Sequence, residues 1–243
     1  MDFHCWAGVA AGGVAATLLC LKAGADGAAD GAAAGAGAAP PAFEGPPDAP
    51  AGPTTLTYWN GRGLAESVRF MLAFTGEEYA ERVPVCHPSV THLAEPAQLA
   101  DLRNEGYLVF NQVPLLVIDG LHLVQSQAII RYLARKHALA GACEADAARC
   151  DVVAEGVKDW KGMMGAGFEF SFGGHDPTPE QLAATKAAIA KYFPLFERLL
   201  KRALDGASGK PAYLMSYIGL GLTYCDIMLL EGLEAVTHTK RCK

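Results

Sequence analysis

Tyr58 ends the run Thr55-Leu56-Thr57-Tyr58-Trp59, directly before the glycine turn Asn60-Gly61-Arg62-Gly63, where a side chain can point into a cleft. A phenol hydroxyl aimed at a sulfur hydrogen-bonds the thiolate and so lowers the thiol's pKa. A free thiol titrates near ~8.5, and each unit of lowering corresponds to ~1.4 kcal/mol. The plainer role for a strand tyrosine is to pack one face of a sheet. Gln125-Ser126 precedes a predicted helix. A helix N-terminus offers unpaired N–H groups and partial positive charge, which suit a carboxylate. Ser126 is also a good N-cap by itself, and the two roles are compatible. Gln112-Val113-Pro114 precedes an apolar run, where the proline could simply start a strand. Arg103, Asp159 and Lys191 sit in stretches that read as helix, where a lone charge is usually solvated.

The elements around these residues follow from pattern. Residues 55–59 alternate and are rich in β-formers, so they read as a strand. Val68, Met71, Leu72 and Phe74 mark the apolar face of a helix. Residues 79–84 read as a second short strand and 94–103 as a helix. Residues 115–118 form a buried strand, Asp119-Gly120 a two-residue hairpin turn, and 121–124 the partner strand. The helix opened by Ser126 buries Ile129, Ile130 and Leu133. From about residue 144 the pattern is helical only: one long stretch over 146–170, a break at 175–179, a second helix to about 204 and a third from about 224.

The totals narrow the function classes. The 243 residues are 51% hydrophobic and carry a net charge of −6, enough for one or two cored domains. No basic and aromatic cluster points to nucleic acid. The seven cysteines form no C-x-x-C pair, so neither a zinc site nor a disulfide framework is expected, and a reducing, cytoplasmic setting is. Residues 23–52 are nearly all Ala, Gly, Pro and Asp and have no apolar face to bury. Residues 5–21 are apolar but short for a membrane span, which needs ~20 residues. Any membrane anchoring or targeting would run through this segment, and a functionless extension is the alternative.

Four segments in this order resemble the glutathione transferase family, and its alpha class most closely: Leu56-Thr57-Tyr58-Trp59-Asn60-Gly61-Arg62-Gly63, Leu102-Arg103-Asn104-Glu105-Gly106, Asn111-Gln112-Val113-Pro114 and Leu123-Val124-Gln125-Ser126. Tyr192-Phe193-Pro194 and Thr223-Tyr224-Cys225-Asp226 extend the resemblance into the helical part. It implies α/β plus all-α architecture: a disordered extension over 1–53, a thioredoxin-like glutathione-binding domain over 54–137, and a helical C-terminal domain over 144–243 that reads as incomplete. It implies glutathione as substrate, an apolar electrophile as co-substrate, no metal and a homodimer. Tyr58 takes the place of the catalytic tyrosine. Val113-Pro114 resembles a cis-proline corner whose backbone pairs with the cysteinyl unit of glutathione, with Gln112 beside it. Gln125 and Ser126 match the residues that hold the γ-glutamyl end, and Arg103 the arginine near the glycine carboxylate. Asp159 falls where an aspartate reaches across the dimer to the γ-glutamyl amine. Lys191 stands where the alpha class pairs an arginine with it, but lacks the guanidinium fork. Phe110 takes the place of an aromatic key at the dimer interface. Thr223 to Asp226 has the look of a capping box.

One position departs from the alpha pattern. Leu64 replaces an arginine six residues after the tyrosine, which would acidify the thiol less; Arg62 is nearby, but nothing in the sequence makes it a substitute. The leading expectation is conjugation of the glutathione thiolate to an apolar electrophile. The alternatives are a low-turnover protein that binds glutathione or apolar ligands, a peroxidase or isomerase using the same thiolate, and a truncated product that folds poorly.

Overall fold

The computed structural model describes residues 52–84, 97–164, 178–206 and 211–238. The apolar segment at 5–21, the Ala/Gly/Pro-rich run, the break at 175–177 and the end of the long stretch beyond 164 lie outside these residues. Three short strands come first in importance: β1 (Thr55–Thr57), β3 (Leu115–Ile118) and β4 (Leu121–Val124), with β2 (Ala80–Arg82) at the far edge. The sheet order is β2-β1-β3-β4. β1 and β2 run parallel, joined by α1 (Glu66–Thr75), while β1–β3 and β3–β4 are antiparallel. The helix α2 (Ala97–Asn104) precedes β3, and α3 (Ser126–Lys136) follows β4. This is a thioredoxin-like mixed sheet.

Strand alternation divides the core. Leu56, Leu116 and Ile118 are at most 1% exposed, as are Val68, Met71 and Leu72 of α1 and Ile129, Ile130, Leu133 and Ala134 of α3. On the other side Leu115 clusters with Leu99 and Leu108, and Trp59, Val113, Val117 and Val124 pack around them. Each fully buried aliphatic side chain is worth about 1.5–3 kcal/mol. The helix expected over Val68 to Phe74 forms, but Phe74 is 42% exposed. Six residues at 100° per residue carry it well away from Val68, off the buried stripe. The first strand stops before Tyr58 and Trp59, and β2 is shorter than expected and has exposed side chains.

Local chemistry sets the turns. Gly76 ends α1 in the left-handed conformation at φ 71°, its N–H donating to carbonyls of the last turn. Asp119 and Gly120 both take positive φ, the twist a two-residue hairpin needs.

The helical part contains α4 (Glu144–Met164), α5 (Pro179–Gly206) and α6 (Tyr224–His238), with a 3₁₀ turn at Ser216–Ile218. Thr178-Pro179-Glu180-Gln181 closes a reciprocal capping box at the start of α5: the Thr178 N–H donates to Gln181 Oε1 at 2.9 Å and the Gln181 N–H to Thr178 Oγ1 at 3.3 Å. At α6 the box uses aspartate: Asp226 Oδ2 accepts from the Thr223 N–H at 2.9 Å and from its hydroxyl at 3.0 Å. Its other oxygen accepts from the Leu214 N–H at 2.7 Å, tying the preceding loop to the helix. Trp160 of α4 is wholly buried between Phe193 and Phe196 of α5, both edge-on, and Gly232 of α6. α1 packs against α3 and α6, and α4 against α5 and α6.

Candidate functional site

The register gathers the expected residues at one end of the sheet. Thr57 pairs with Leu115, and Leu115 with Val124. The next positions outward are Tyr58, Pro114 and Gln125, one from each of three neighbouring strands. The Val113–Pro114 peptide is cis, as the resemblance implied. Val113 is half-buried and packs, with Trp59, on the Leu99–Leu108–Leu115 cluster. Gln112 is exposed just before it.

The Tyr58 ring is only 3% exposed, and its hydroxyl accepts the backbone N–H of Leu64 at 2.9 Å. Leu64 is itself 52% exposed, so the buried ring carries its polar tip to a turn at the protein surface. A phenol oxygen has two acceptor lone pairs and one proton. Accepting from Leu64 leaves that proton's role untouched, and polarises the O–H so that it donates more strongly. The amide comes from a 3₁₀ turn, Gly63–Ala65, that leads into α1.

The surroundings of this turn are charged. Arg69 lies with its guanidinium carbon 5.9 Å from the centre of the Tyr58 ring, within cation–π range. It donates to the Gly61 carbonyl at 2.8 Å and to Glu66 at 2.9 Å, and pairs with Glu81. Burial opposes its charge, but the hydrogen bonds to Glu81 and Glu66 hold its pKa above the ordinary value. Arg62 donates to Glu234 at 2.8 Å and lies 3.5 Å from Glu66 and 3.9 Å from Glu231. Here too burial works against the charge and the carboxylates outweigh it. Arg62 therefore belongs to a carboxylate cluster and does not stand in for the missing arginine at Leu64.

Gln125 occupies the N-cap of α3 with φ 69° and no side-chain cap bond, so Ser126 is the first helical residue. The expectation that Ser126 caps its helix is thus corrected by one position: Gln125 carries the left-handed backbone, its carbonyl accepting from the Ile129 N–H at 3.0 Å. Ser126 is half-buried and Gln125 exposed. The turn of backbone presents the first N–H groups of α3 beside Pro114. Arg103 is half-buried in the last turn of α2.

Two expected residues are not gathered here. Asp159 is exposed on α4, and Lys191 is exposed on α5 with its ammonium 4.8 Å from the centre of the Tyr192 ring. They form no ion pair with each other within the chain. Phe110 is 61% exposed next to Val109, which is 51% exposed. Among the described residues no group of His, Cys, Asp or Glu could hold a metal ion, and no helix is long and apolar enough to cross a membrane.

Arg69, Glu66, the Leu64 amide and Glu231 escaped sequence reading. Glu66 and Arg69 lie three apart on a helix, a spacing that signals only a surface pair. A backbone amide has no sequence signature.

Residues 54–135 match the family model for the glutathione S-transferase N-terminal domain. The chain is 37% identical over 182 residues to glutathione S-transferase A2 of Bos taurus, covering 74% of this chain and 72% of the bovine one. Among solved structures it is similar to a nematode-specific glutathione S-transferase of C. elegans, with TM-score 0.58, 26% identity and coverage of 77% and 83%. A further match is monomeric Na-GST-3 of the hookworm Necator americanus, with TM-score 0.56, 26% identity and coverage of 78% and 87%. A thioredoxin-like sheet followed by a helical domain, with a tyrosine and a cis-proline at one sheet end, defines the glutathione S-transferase fold. The chain belongs to the glutathione S-transferase family.

Proposed function

We propose that this protein conjugates the glutathione thiolate to an apolar electrophile. The observation that carries the reading is the Tyr58 hydroxyl, oriented by the Leu64 N–H at 2.9 Å and level with Pro114 at the end of the sheet. In this reading the Tyr58 O–H donates to the glutathione sulfur and favours the thiolate. The edge formed by Gln112, Val113 and Pro114 pairs with the cysteinyl backbone. Gln125 and Ser126 hold the γ-glutamyl carboxylate with the N-terminus of α3. Arg103 meets the glycine carboxylate. Asp159 and Lys191 act only with a second subunit, whose interface includes Phe110. Residues 54–137 would form the glutathione-binding domain and 144–243 the helical domain that helps hold the electrophile. The free cysteines Cys143, Cys150 and Cys225 fit a reducing, cytoplasmic setting.

The thiolate attacks the electrophilic carbon and forms the C–S bond as the leaving group departs or the acceptor bond takes up the electron pair. No metal is needed for this step. Its test is turnover of a generic chromogenic electrophile by the wild type and by Tyr58→Phe. A wild type that turns over and a Phe variant slowed about tenfold or more support the reading, since a hydrogen bond to a charged group is worth ~1.5–3 kcal/mol. Equal rates would remove Tyr58 from the mechanism.

A second reading is favoured by Leu64 and by the engagement of Arg62 with Glu234 and Glu66. With no cation supplied from either position, the protein would bind glutathione or apolar ligands and turn over little. Tight glutathione binding with background-level turnover would select it.

A further inference from the structure

Glu231 of α6 is 1% exposed, and a buried carboxylate needs partners on every side. Its Oε2 accepts the Ser67 hydroxyl at 2.8 Å and pairs with the Lys161 ammonium of α4. Lys161 also donates to Ser67 Oγ, at 3.2 Å. Its Oε1 faces the Arg62 guanidinium at 3.9 Å. Ser67 and Arg62 flank the 3₁₀ turn Gly63–Ala65, so one carboxylate of the helical part holds both ends of the turn that carries Leu64. From the sheet side Arg69 holds the same turn through the Gly61 carbonyl at 2.8 Å. The turn's amide is the one that reaches the Tyr58 hydroxyl.

We propose that Glu231 is a positioning residue: through Ser67 and Arg62 it fixes the Leu64 amide on the Tyr58 hydroxyl, so that the helical part sets the strength of the thiolate-stabilising hydrogen bond. This rests on the proposed role of Tyr58. The charged groups around the turn are Arg62, Glu66 and Arg69 from its own segment, Glu81 from β2, Lys161 from α4 and Glu231 and Glu234 from α6. The sign of the effect distinguishes positioning from plain electrostatics. Removing a negative charge near a thiol lowers its pKa. Loosening the Leu64 turn weakens the Tyr58 bond and raises it.

The experiment is a pH titration of the ultraviolet thiolate absorbance of glutathione bound to the full chain, with the pH profile of kcat/KM for a chromogenic electrophile alongside. Glu231→Gln is expected to raise the bound thiol pKa and cut the thiolate fraction at weakly acid pH about fivefold, the equivalent of one net hydrogen bond. Ser67→Ala is expected to shift it the same way by less, and it keeps the test available if Glu231→Gln does not fold. In a Tyr58→Phe background neither change should move the pKa further. The proposal is overturned if folded Glu231→Gln and Ser67→Ala leave the pKa unchanged or lower it. It is equally overturned if the full shift survives in the Tyr58→Phe background. If Tyr58→Phe alone leaves the thiol pKa where it was, the Tyr58 reading itself fails, and that result is seen before Glu231 is touched.

Discussion

The packing that seats Glu231 can be probed through its neighbour. A Cβ added at Gly232 would lie 2.6 Å from Cζ3 and 3.1 Å from Cη2 of the Trp160 indole. The indole is fully buried, with Phe193 at 5.4 Å and Phe196 at 5.8 Å between ring centres. A rigid ring braced on two sides cannot rotate away, so α6 must shift from α4. Overpacking of this kind costs ~1–3 kcal/mol, and the rigid partner argues for the upper half of that range. Alanine recovers up to ~1 kcal/mol of helix propensity. The net expectation for Gly232→Ala is a loss of roughly 1–2 kcal/mol, or about 2–8 °C in Tm for a chain of this size. The assay is a thermal melt with Gly162→Ala as control. Nothing lies within 4 Å of a Cβ at exposed Gly162 of α4, so that variant should gain about 0.5–1 kcal/mol. A Gly232→Ala protein that melts at or above the wild type, while the control gains, would refute the close approach of α6 to Trp160.

Other consequences follow from single contacts. Asp226→Ala removes the acceptor for the Thr223 and Leu214 N–H groups and should cost about 2–4 kcal/mol in a urea titration; Asp226→Asn should cost less. Asp119 accepts from Tyr132 at 2.6 Å and from Lys136 at 3.1 Å, and these bonds hold its pKa below the ordinary value. Its stabilising contribution is therefore complete above the unfolded pKa of ~3.9 and is lost as pH falls through the lower folded value. Asp119→Asn keeps a residue that tolerates the φ of 52° and should flatten the acid limb of Tm against pH. Phe110→Ser, at a side chain 61% exposed, should weaken self-association in sedimentation if this face meets a second subunit, and leave the melting midpoint of the monomer unchanged.

How much of this was legible varied with the range of the interactions. The unit Leu115–Ile118, Asp119-Gly120, Leu121–Val124 and the Ile129, Ile130, Leu133 stripe could be read directly, because β-formers, turn chemistry and helical spacing agree there. Thr223 and Asp226 announced their cap because both partners lie within one turn. Phe74 misled because apolar content outran helical phase. Gln125 misled because a left-handed glutamine at an N-cap has no local preference behind it, whereas serine has one. The alignment of Tyr58, Pro114 and Gln125 needed strand register, which no single segment contains. Ser67 and Glu231 are 164 positions apart, and each alone reads as an ordinary polar helix residue. Their contact is a product of how α1 packs against α6.

The central claim is that Tyr58 holds the glutathione sulfur as a thiolate. Its most direct test is the pKa of glutathione bound to the wild type and to Tyr58→Phe, read from thiolate absorbance on proteins matched for glutathione affinity. The account expects a wild-type value at least about one unit below the free thiol's ~8.5 and a return toward ~8.5 in the variant. Two proteins with the same bound-thiol pKa would contradict it.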